Sequence, residues 1–343
     1  LITYYANQSN PRIQSFTIGS HNSIFDESDI AGGYAEFLDI KNHQHYYSNK
    51  TLISDIDKHF KAYSEPFGDY SSLPSFQVCK MAKDYFSVIL SGDGGDEIFW
   101  GYPRFLKYSG HFSWFKFGSM VKRIGAGFAR KIGYNISYGI HMQDMGKWVM
   151  EGQSHNNSEI LKKLITQTTN SDFIKELYQY PEYIRNKYEL LTWLRWNEYY
   201  GHLQRILLKM DRASMYHSLE VRVPFLDRNI LSYALRIKPE LSINHKSPKY
   251  LLKQLMSQKY PMYTMNNKKM GFSIDIDNSL RTILKDEVCD LILGRDPYPA
   301  NTFNREFLQK YLTSYFEGKN GNEWGVWILY SLQKWAQSFN IDN

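Results

Sequence analysis

The stretch from Phe86 to Glu97 reads FSVILSGDGGDE and decides the fold. Its first five residues, FSVIL, are a short and nearly continuous apolar run with β-branched side chains, which is typical of a strand buried on both faces. The remaining residues, SGDGGDE, combine three glycines with three carboxylates and indicate a loop. Ligands of an open parallel sheet bind beyond the carboxyl ends of its strands. The stretch therefore predicts a buried strand that leads into a candidate binding loop.

On the N-terminal side of this stretch, candidate strands and helices alternate along the chain. Short β-rich runs predict two strands, at Ile13–Gly19 and His43–Tyr47. Apolar residues at helical spacing predict three helices, at Phe25–Ile40, Leu52–Tyr63 and Leu73–Tyr85. Because crossover helices cover the faces of a parallel sheet, this alternation predicts an α/β protein with a doubly wound parallel sheet.

After Tyr102 the alternation gives way to helical periodicity. The longest periodic runs are Tyr188–Met215 and Glu323–Phe339. One face of the second run carries a stripe that we interpret as core, namely Trp324, Trp327, Ile328, Leu332 and Trp335. We therefore divide the chain into an α/β part, residues 1–105, and a mostly helical part, residues 106–343.

The composition is that of an ordinary globular protein, since the 343 residues are 43% hydrophobic and 22% charged. The formal net charge of +6 is small for this length and no dense Lys/Arg block is present, so we expect no nucleic-acid partner. Cys79 and Cys289 lie far apart and outside any Cys/His cluster, which argues against disulfides or zinc and favours a reducing, cytoplasmic location. No apolar run is long enough to span a bilayer, so we expect no membrane partner.

The loop SGDGGDE combines two features that conflict unless a cation is present. Its glycines let backbone N–H groups cradle an anion, whereas its carboxylates would repel a bare phosphate. Mg²⁺ reconciles the two, because it is typically held by one or two carboxylates together with phosphate oxygens. Asp96, with Asp93 or Glu97, could then hold Mg²⁺ on a nucleotide. The alternative is a polar surface turn, whereas the spacing fits neither a Walker A loop nor an EF-hand.

A second constellation, Leu207–Asp227, places charged residues among apolar ones in the sequence LLKMDRASMYHSLEVRVPFLD. Charges in such surroundings imply either pairing or a ligand. We expect Asp211, with Arg212 beside it, to belong to a site, and Glu220 with Arg222 to be mostly structural. The alternative for each of them is a buried network of ion pairs.

Lysines at two further places are candidates for contact with phosphate. Lys249 follows Pro248 at the start of a predicted helix, and Lys269 lies in the loop Asn266–Ser273, which reads NNKKMGFS. A lysine in a glycine-containing loop can reach developing phosphate charge. For either lysine taken alone, a solvated surface position is the alternative.

Together, these segments resemble the synthetase domain of the glutamine-dependent asparagine synthetase family. The resemblance rests on SGDGGDEIFWGY at 91–102, DRASMYHSLEVRVPFLD at 211–227 and KKMGFS at 268–273, and on their order and spacing. It covers nearly the whole chain, most loosely across Lys107–Tyr188. The segment EVRVPFLD is its most specific part.

This resemblance implies an ATP pyrophosphatase-type fold, with the nucleotide bound by residues 1–105, and a two-step ligase reaction. A substrate carboxylate, in the simplest case that of L-aspartate, attacks the α-phosphate of ATP and gives an acyl-adenylate and pyrophosphate. Ammonia, released from glutamine by a glutaminase domain, then displaces AMP to form the amide. The implied cofactors are ATP and Mg²⁺, and a homodimer is a further expectation.

The resemblance also implies which residues bind the cofactors. The implied ATP contacts are Ile18, at the end of a strand with its backbone at the adenine, and the loop residues Ser91, Gly92, Gly94 and Gly95. Asp96 matches the carboxylate that holds Mg²⁺ on pyrophosphate.

Catalytic roles are implied for three residues. Lys249 and Lys269 match lysines that steady pyrophosphate and the adenylation transition state. Asp93 stands where many members have Glu, and its implied role is to order the intermediate and help deprotonate the attacking amine. The residues expected to support these groups are Glu97, Asp211, Arg212, Glu220 and Arg222.

The chain departs from the family pattern at three points. The signature loop Ser-Gly-Gly-x-Asp-Ser is absent, since the chain opens at Leu1, which matches the residue just after that loop. The glutaminase domain with its terminal nucleophilic Cys is absent too, and neither Cys79 nor Cys289 matches it. We therefore expect upstream sequence to be missing. The dipeptide Asn267-Lys268 stands where relatives often have Arg-Pro.

Three other functions remain open. A member of the family could act on another carboxylate, such as a sugar uronic acid in surface polysaccharide. A closer of peptide or β-lactam rings is disfavoured, because such enzymes tend to have Tyr at the position of Asp93. A non-catalytic relative is disfavoured by the retention of Asp96, Lys249 and Lys269.

Overall fold

The computed structural model describes residues 1–20, 22, 26–116, 144–156, 158–166, 172–243, 247–260, 274–294 and 297–341. The strands are β1 (Gln14–Ser20), β2 (Lys41–Tyr47), β3 (Val88–Leu90) and β4 (Glu220–Arg222). The helices that precede residue 117 are α1 (Ile2–Ser9), α2 (Ser28–Phe37), α3 (Asn49–Ala62), α4 (Ser72–Lys83), α5 (Gly95–Ile98), α6 (Pro103–Gly110) and α7 (Phe112–Phe115).

Helices make up most of the later part of the chain. They are α8 (Met145–Gln153), α9 (Ser158–Leu164), α10 (Asp172–Tyr178), α11 (Lys187–Asn197), α12 (Leu203–Tyr216), α13 (Arg228–Arg236), α14 (Pro239–Ile243), α15 (Tyr250–Lys259), α16 (Ile276–Arg281), α17 (Lys285–Leu293), α18 (Arg305–Phe316) and α19 (Glu323–Ser338). A short 3-10 turn, Pro224–Leu226, follows β4.

β1 and β2 form a parallel pair at the positions where the sequence predicts strands. Ile18 lies opposite His45, and Ser20 lies opposite Tyr47 at the carboxyl ends. Helix α2 connects the two strands and packs against both. The next helix, α3, begins where the hydroxyl of Ser48 accepts a hydrogen bond from the backbone N–H of Thr51, because this caps a free donor of the first turn.

β3 pairs in parallel with β4, and its burial differs from the prediction. Val88 lies opposite Glu220, and Leu90 lies opposite Arg222. The expectation of a strand buried on both faces is wrong, since Val88 is 41% exposed and Leu90 is 47% exposed. Side chains alternate between the faces of a strand, and in the described part of the chain only the face of Ile89 packs against helices. The apolar run therefore predicts the presence of the strand correctly, but it wrongly predicts that both faces of the strand are buried.

Both strand pairs rest on the same helices. Phe16 of β1 and Ile89 of β3 pack against one buried cluster, which includes Phe76 and Cys79 of α4 and Ala213 of α12. The α/β class and the parallel pairing are thereby confirmed. A single doubly wound sheet stays a prediction, because the described strands form two separate pairs.

The run predicted as a helix at Tyr188–Met215 is one continuous helical rod. Helix α11 passes directly into a π-helical segment, Glu198–His202, which continues into α12. Such segments are rare and frequently lie at functional sites. Leu191 of α11 packs in a cluster with Trp100, whereas Ala213 of α12 packs beneath the strands. The rod therefore joins the cluster around Trp100 to the cluster beneath the strands.

The three tryptophans of the stripe on α19 belong to the core, as the sequence predicts, whereas Ile328 and Leu332 are only partly buried. Trp327 is fully buried, and Trp324 and Trp335 pack against the same large cluster, to which α3, α16, α17 and α18 also contribute. No helix among the described residues is long and apolar enough to cross a membrane.

Candidate active site

The candidate loop begins where β3 ends and is tied to β4 and to itself. The backbone N–H of Ser91 donates to the carbonyl of Arg222 at 2.9 Å, which extends the β3–β4 pairing into the loop. The Ser91 hydroxyl donates to Oδ2 of Asp93, and the Asp93 N–H donates back to the Ser91 Oγ at 3.1 Å. Ser91 and Asp93 therefore hold each other in a compact turn at the carboxyl end of β3.

The three glycines of the loop have different neighbours. A Cβ at Gly92 would meet open space, whereas one at Gly94 would meet Leu226 and one at Gly95 would meet the ring of Phe225. Gly94 also has a φ of +83°, a conformation that favours glycine. The VPFLD segment therefore covers the loop directly, and packing explains the absence of side chains at Gly94 and Gly95. Close approach by a ligand explains glycine only at Gly92.

Two candidate site residues, Asp96 and Lys249, meet directly. The Nζ of Lys249 lies 2.8 Å from Oδ1 of Asp96, and both side chains are partly exposed. The N–H of Gly101 donates to the Asp96 carbonyl at 2.7 Å, and a Cβ at Gly101 would overlap the Asp96 side chain. The structure thus brings together residues that are 153 positions apart in the sequence and requires glycine at position 101.

Glu97 points away from solvent into a chain of hydrogen bonds. Burial raises its pKa, and a hydrogen bond donated by the Tyr102 hydroxyl opposes that shift. His202 Nε2 lies 3.0 Å from the Tyr102 hydroxyl, and Arg205 donates to His202 Nδ1 at 2.9 Å. Since Nδ1 accepts, we assign the proton to Nε2, which then donates to Tyr102. Arg205 also lies 3.7 Å from the buried carboxylate of Asp69, so the chain links the loop to the start of α4.

An ion pair between Arg104 and the buried carboxylate of Glu198 supports the same turn. Arg104 donates to both carboxylate oxygens of Glu198, from Nε at 2.6 Å and from Nη2 at 2.5 Å. Its guanidinium stacks on the ring of Tyr102 at 3.7 Å, and Gln153 also donates to Glu198. Glu198 lies in the π-helical segment, so the helical rod contributes directly to this environment.

Sequence reasoning missed most of these supporting residues. They are Asp69, Trp100, Gly101, Tyr102, Arg104, Glu198, His202 and Arg205. Trp100, Gly101 and Tyr102 directly follow the loop and could have been singled out by that position. Glu198 and His202 carry no local signal, because their partners lie about a hundred residues away in the sequence.

The charged residues singled out in the second constellation pair with their sequence neighbours. Asp211 pairs with its neighbour Arg212 at 3.2 Å, and Glu220 pairs with Arg222 at 2.7 Å. The alternative of a buried ion-pair network is wrong, because the side chains of Asp211 and Glu220 are both 55% exposed. Asp211, Glu220 and Arg222 face solvent, whereas Arg212 is partly buried and its Nε has no hydrogen-bond partner among the described residues. Arg222 does contact the loop, but it does so through its backbone carbonyl.

Two further candidates are Ile18 and Lys269. Ile18 lies two residues before the carboxyl end of β1, and its side chain packs against the large core cluster. Lys269, with the whole segment 266–273, lies outside the described residues.

The predicted Mg²⁺ site depends on Asp96. Among the residues that the structure describes, no group of three or more His, Cys, Asp or Glu could hold a metal ion. A single carboxylate beside an ammonium group does not chelate a bare cation. It does fit Mg²⁺ that arrives on phosphate oxygens, because these oxygens supply the other ligands.

Comparison with known proteins gives one family. A model of the asparagine synthase family matches residues 1–337. The chain is 25% identical over 355 residues to asparagine synthetase (glutamine-hydrolyzing) 1 of Bacillus subtilis, across 99% of this chain and 54% of that protein. It is 27% identical over 297 residues to a Mycobacterium bovis relative, across 82% of this chain and 44% of that protein. It is 30% identical over 148 residues to an asparagine synthetase (glutamine-hydrolyzing) of Gallus gallus, across 38% of this chain and 26% of that protein.

The extent of these matches differs between the family model and the relatives. The chain spans about half the length of the Bacillus and Mycobacterium relatives. The family model, in contrast, covers it almost from end to end. The chain therefore belongs to the asparagine synthase family.

Proposed function

We propose that this chain carries the synthetase reaction of a glutamine-dependent asparagine synthetase, the ATP-dependent conversion of L-aspartate into L-asparagine. The observation that carries this proposal is the 2.8 Å ion pair between Asp96 and Lys249, beside the loop that ends β3. A triphosphate with its metal needs a carboxylate for the cation and an ammonium group for the phosphate oxygens. The pair offers both in one place, at the sheet edge where parallel α/β proteins bind ligands.

The reaction has two balanced steps. In the first, a carboxylate oxygen of aspartate bonds to the α-phosphorus of ATP, and the bond from that phosphorus to the oxygen bridging the β-phosphate breaks. Pyrophosphate leaves, and we assign Lys249 and Lys269 to the negative charge that it gains. In the second, ammonia bonds to the acyl carbon, AMP leaves, and nitrogen gives up a proton.

We assign that proton to the carboxylate of Asp93. The Ser91 hydroxyl holds Oδ2 of Asp93, which fixes the orientation of the carboxylate and leaves its other oxygen for the proton. A base held in one orientation is more effective than a free one, since proton transfer requires hydrogen-bond geometry.

Mg²⁺, when bound, neutralises phosphate charge, and Asp96 is the residue that we assign to it. Lys249 pairs with this carboxylate. Binding of the metal-bound nucleotide would let Lys249 exchange its carboxylate partner for a phosphate oxygen. The ion pair therefore holds the carboxylate of Asp96 and the ammonium group of Lys249 at the proposed phosphate site, and neither charge is left unpaired.

The positions of Asp96 and Lys249 also indicate where the rest of the nucleotide would bind. We propose that ATP approaches the loop at Gly92, whose Cβ side is open, and that Ser91, Gly94 and Gly95 offer backbone groups. Ile18, near the carboxyl end of β1, would then contact adenine through its backbone.

Ammonia would come from glutamine, through a glutaminase unit in the length of the relatives that this chain does not span. Cys79 does not suit the glutaminase nucleophile, because burial raises its pKa to about 12. A cytoplasmic location and a homodimer remain part of the proposal.

The decisive experiment uses the full-length gene product with Mg-ATP, ammonia and L-aspartate. We expect asparagine, AMP and pyrophosphate in equal amounts, measured by mass spectrometry and a pyrophosphate assay. AMP without asparagine would assign a different carboxylate substrate. Absence of both products, with ATP bound, would overturn the proposed function.

Two variants, one at Asp96 and one control, test the importance of the Asp96–Lys249 ion pair. We expect Asp96→Asn to abolish pyrophosphate release, because it removes the charge that we assign to the metal. Glu306→Gln, at an exposed carboxylate of α18 that pairs with Lys310, should release pyrophosphate at the wild-type rate. Undiminished release by Asp96→Asn would exclude this residue from the mechanism.

A further inference from the structure

Two residues with an unfavourable backbone conformation meet beside the Asp96–Lys249 pair. Trp100 has a φ of +52° and Lys249 has a φ of +55°, in the left-handed region that side chains with a Cβ rarely occupy. The N–H of Lys249 donates to the carbonyl of Trp100 at 3.3 Å, so the two strained residues are joined by a hydrogen bond. Such strain persists only where the surroundings enforce it, and it is concentrated at functional sites.

The indole of Trp100 supplies that enforcement. It is fully buried, and its Nε1–H donates to the carbonyl of Leu191 at 2.9 Å. The guanidinium of Arg195 lies 4.3 Å from the indole ring and donates to the carbonyls of Ala234 and Leu235. The side chain of Trp100 is thus held by α11, whose Arg195 is in turn held by the end of α13.

We propose that Trp100 is a positioning residue that holds Lys249 opposite Asp96. Anchored by its indole, Trp100 presents its carbonyl to the N–H of Lys249 and so fixes the first residue before α15. The adjacent Gly101 fixes Asp96 through its own N–H. Both members of the ion pair are therefore set by one dipeptide. This inference rests on the proposed function, in which Asp96 and Lys249 act on the phosphates of ATP.

The competing interpretation is that Trp100 only fills the core, and Trp148 provides the matched control. Both side chains are fully buried in the same hydrophobic cluster. A role in packing alone predicts similar consequences when either is shortened. A positioning role predicts a consequence that depends on Lys249.

The experiment is a double-mutant cycle in the full-length protein. We expect Trp100→Phe to lower kcat for pyrophosphate release about tenfold and to change KM for ATP less than about threefold, because small misplacement of a charge costs mainly the chemical step. Trp148→Phe should change kcat less than about twofold. In the Lys249→Ala background, Trp100→Phe should cause almost no further loss, because the residue that it positions is gone.

Independent effects of Trp100→Phe and Lys249→Ala, multiplying in the double variant, would overturn the proposal. A second measurement needs no activity: the rate at which trace acetic anhydride acetylates Lys249, read by mass spectrometry. We expect Trp100→Phe to raise this rate toward that of Asp96→Asn, and Trp148→Phe to leave it unchanged. An unchanged rate in Trp100→Phe would also overturn the proposal. Wild-type pyrophosphate release by Lys249→Ala would instead contradict its proposed role in the reaction, while the acetylation rates would still decide the role of Trp100.

Discussion

Charged residues with apolar sequence neighbours occur in two regions of this molecule, and the fold places them in opposite environments. The inner network, Asp96, Glu97, Tyr102, Arg104, Glu198 and Lys249, is drawn into the structure. The outer pairs, Asp211 with Arg212 and Glu220 with Arg222, stay at the surface. In the inner network the ion pairs join residues far apart in the sequence, whereas each outer pair joins residues one or two positions apart. The less exposed pairs are therefore the ones made by tertiary contacts, because a partner from elsewhere in the fold excludes more water than a sequence neighbour does.

The largest difference between the inner network and the outer pairs should appear in the free energy of unfolding. Glu198→Ala removes a buried carboxylate and leaves the partly exposed guanidinium of Arg104 unpaired, which should cost somewhat less than the about 3–5 kcal/mol typical of a fully buried pair. The matched change, Glu220→Ala, removes one partner of an exposed pair and should cost less than about 1 kcal/mol. Denaturant unfolding followed by circular dichroism measures both. Equal losses would show that the two regions do not differ in energy.

A smaller effect is expected from one methyl group in the inner network. Gly101→Ala forces a Cβ onto the Asp96 side chain, and overpacking of this kind typically costs about 1–3 kcal/mol. Gly110→Ala is the control, because a Cβ there would meet nothing within 4 Å at the end of α6. Unfolding midpoints should fall for Gly101→Ala and stay level or rise for Gly110→Ala. A lowered midpoint in the control alone would contradict the contact seen at Asp96.

The pH dependence of stability should distinguish two buried carboxyl groups, those of Glu97 and Asp69, which the hydrogen-bond chain connects. Burial raises the pKa of Glu97 above its ordinary 4.5. Burial also acts to raise the pKa of Asp69, but Arg205, Lys209 and hydrogen bonds from Ser71 outweigh it and leave that pKa below the ordinary 3.8. A raised pKa gives stability that is present below about pH 4.5 and lost as pH rises through the folded value. A lowered pKa gives stability that is present above about pH 3.8 and lost as pH falls.

The two carboxyl groups should therefore show opposite trends when each is replaced by its amide. Relative to wild type, Glu97→Gln should gain stability as pH rises from about 4.5 toward neutrality. The stability deficit of Asp69→Asn should shrink as pH falls below about 3.8. Unfolding free energies measured across pH at fixed salt test both signs. Parallel curves for the two variants would rule out this assignment.

The smallest effects belong to the outer pairs. Asp211→Asn should change the unfolding free energy by less than about 0.5 kcal/mol at low salt, because water screens an exposed pair. That difference should disappear at about 1 M salt, where the screening length is only about 3 Å. A large change that persists in salt would place Asp211 with the inner network.

The local elements were predictable because their signals are local. Apolar alternation and helical spacing placed β1, β2, α3 and α4 to within a few residues, and the run FSVIL indicated β3. Burial was less predictable, since Val88 and Leu90 are exposed despite their apolar surroundings in the sequence. Whether a face of a strand is buried depends on the elements that pack against it, and the sequence of the strand alone does not specify these elements.

The candidate site was predictable in its parts and not in its connections. The loop, Asp96 and Lys249 were singled out from motifs and from the family resemblance, and the structure places the latter two in contact. Nothing local indicated that Trp100 would adopt a left-handed backbone or that His202 would reach Tyr102. These features arise from contacts over about a hundred residues of sequence.

The continuous rod of α11, the π-helical segment and α12 has a thermodynamic consequence. At 1.5 Å per residue, it extends for about 45 Å without a loop. Its first half is packed around Trp100, and its second half lies under the two strand pairs. Melting either half would strip packing from the other and break hydrogen bonds in mid-helix. The cluster around Trp100 and the strand pairs should therefore lose their structure in one cooperative transition, with equal calorimetric and van't Hoff enthalpies.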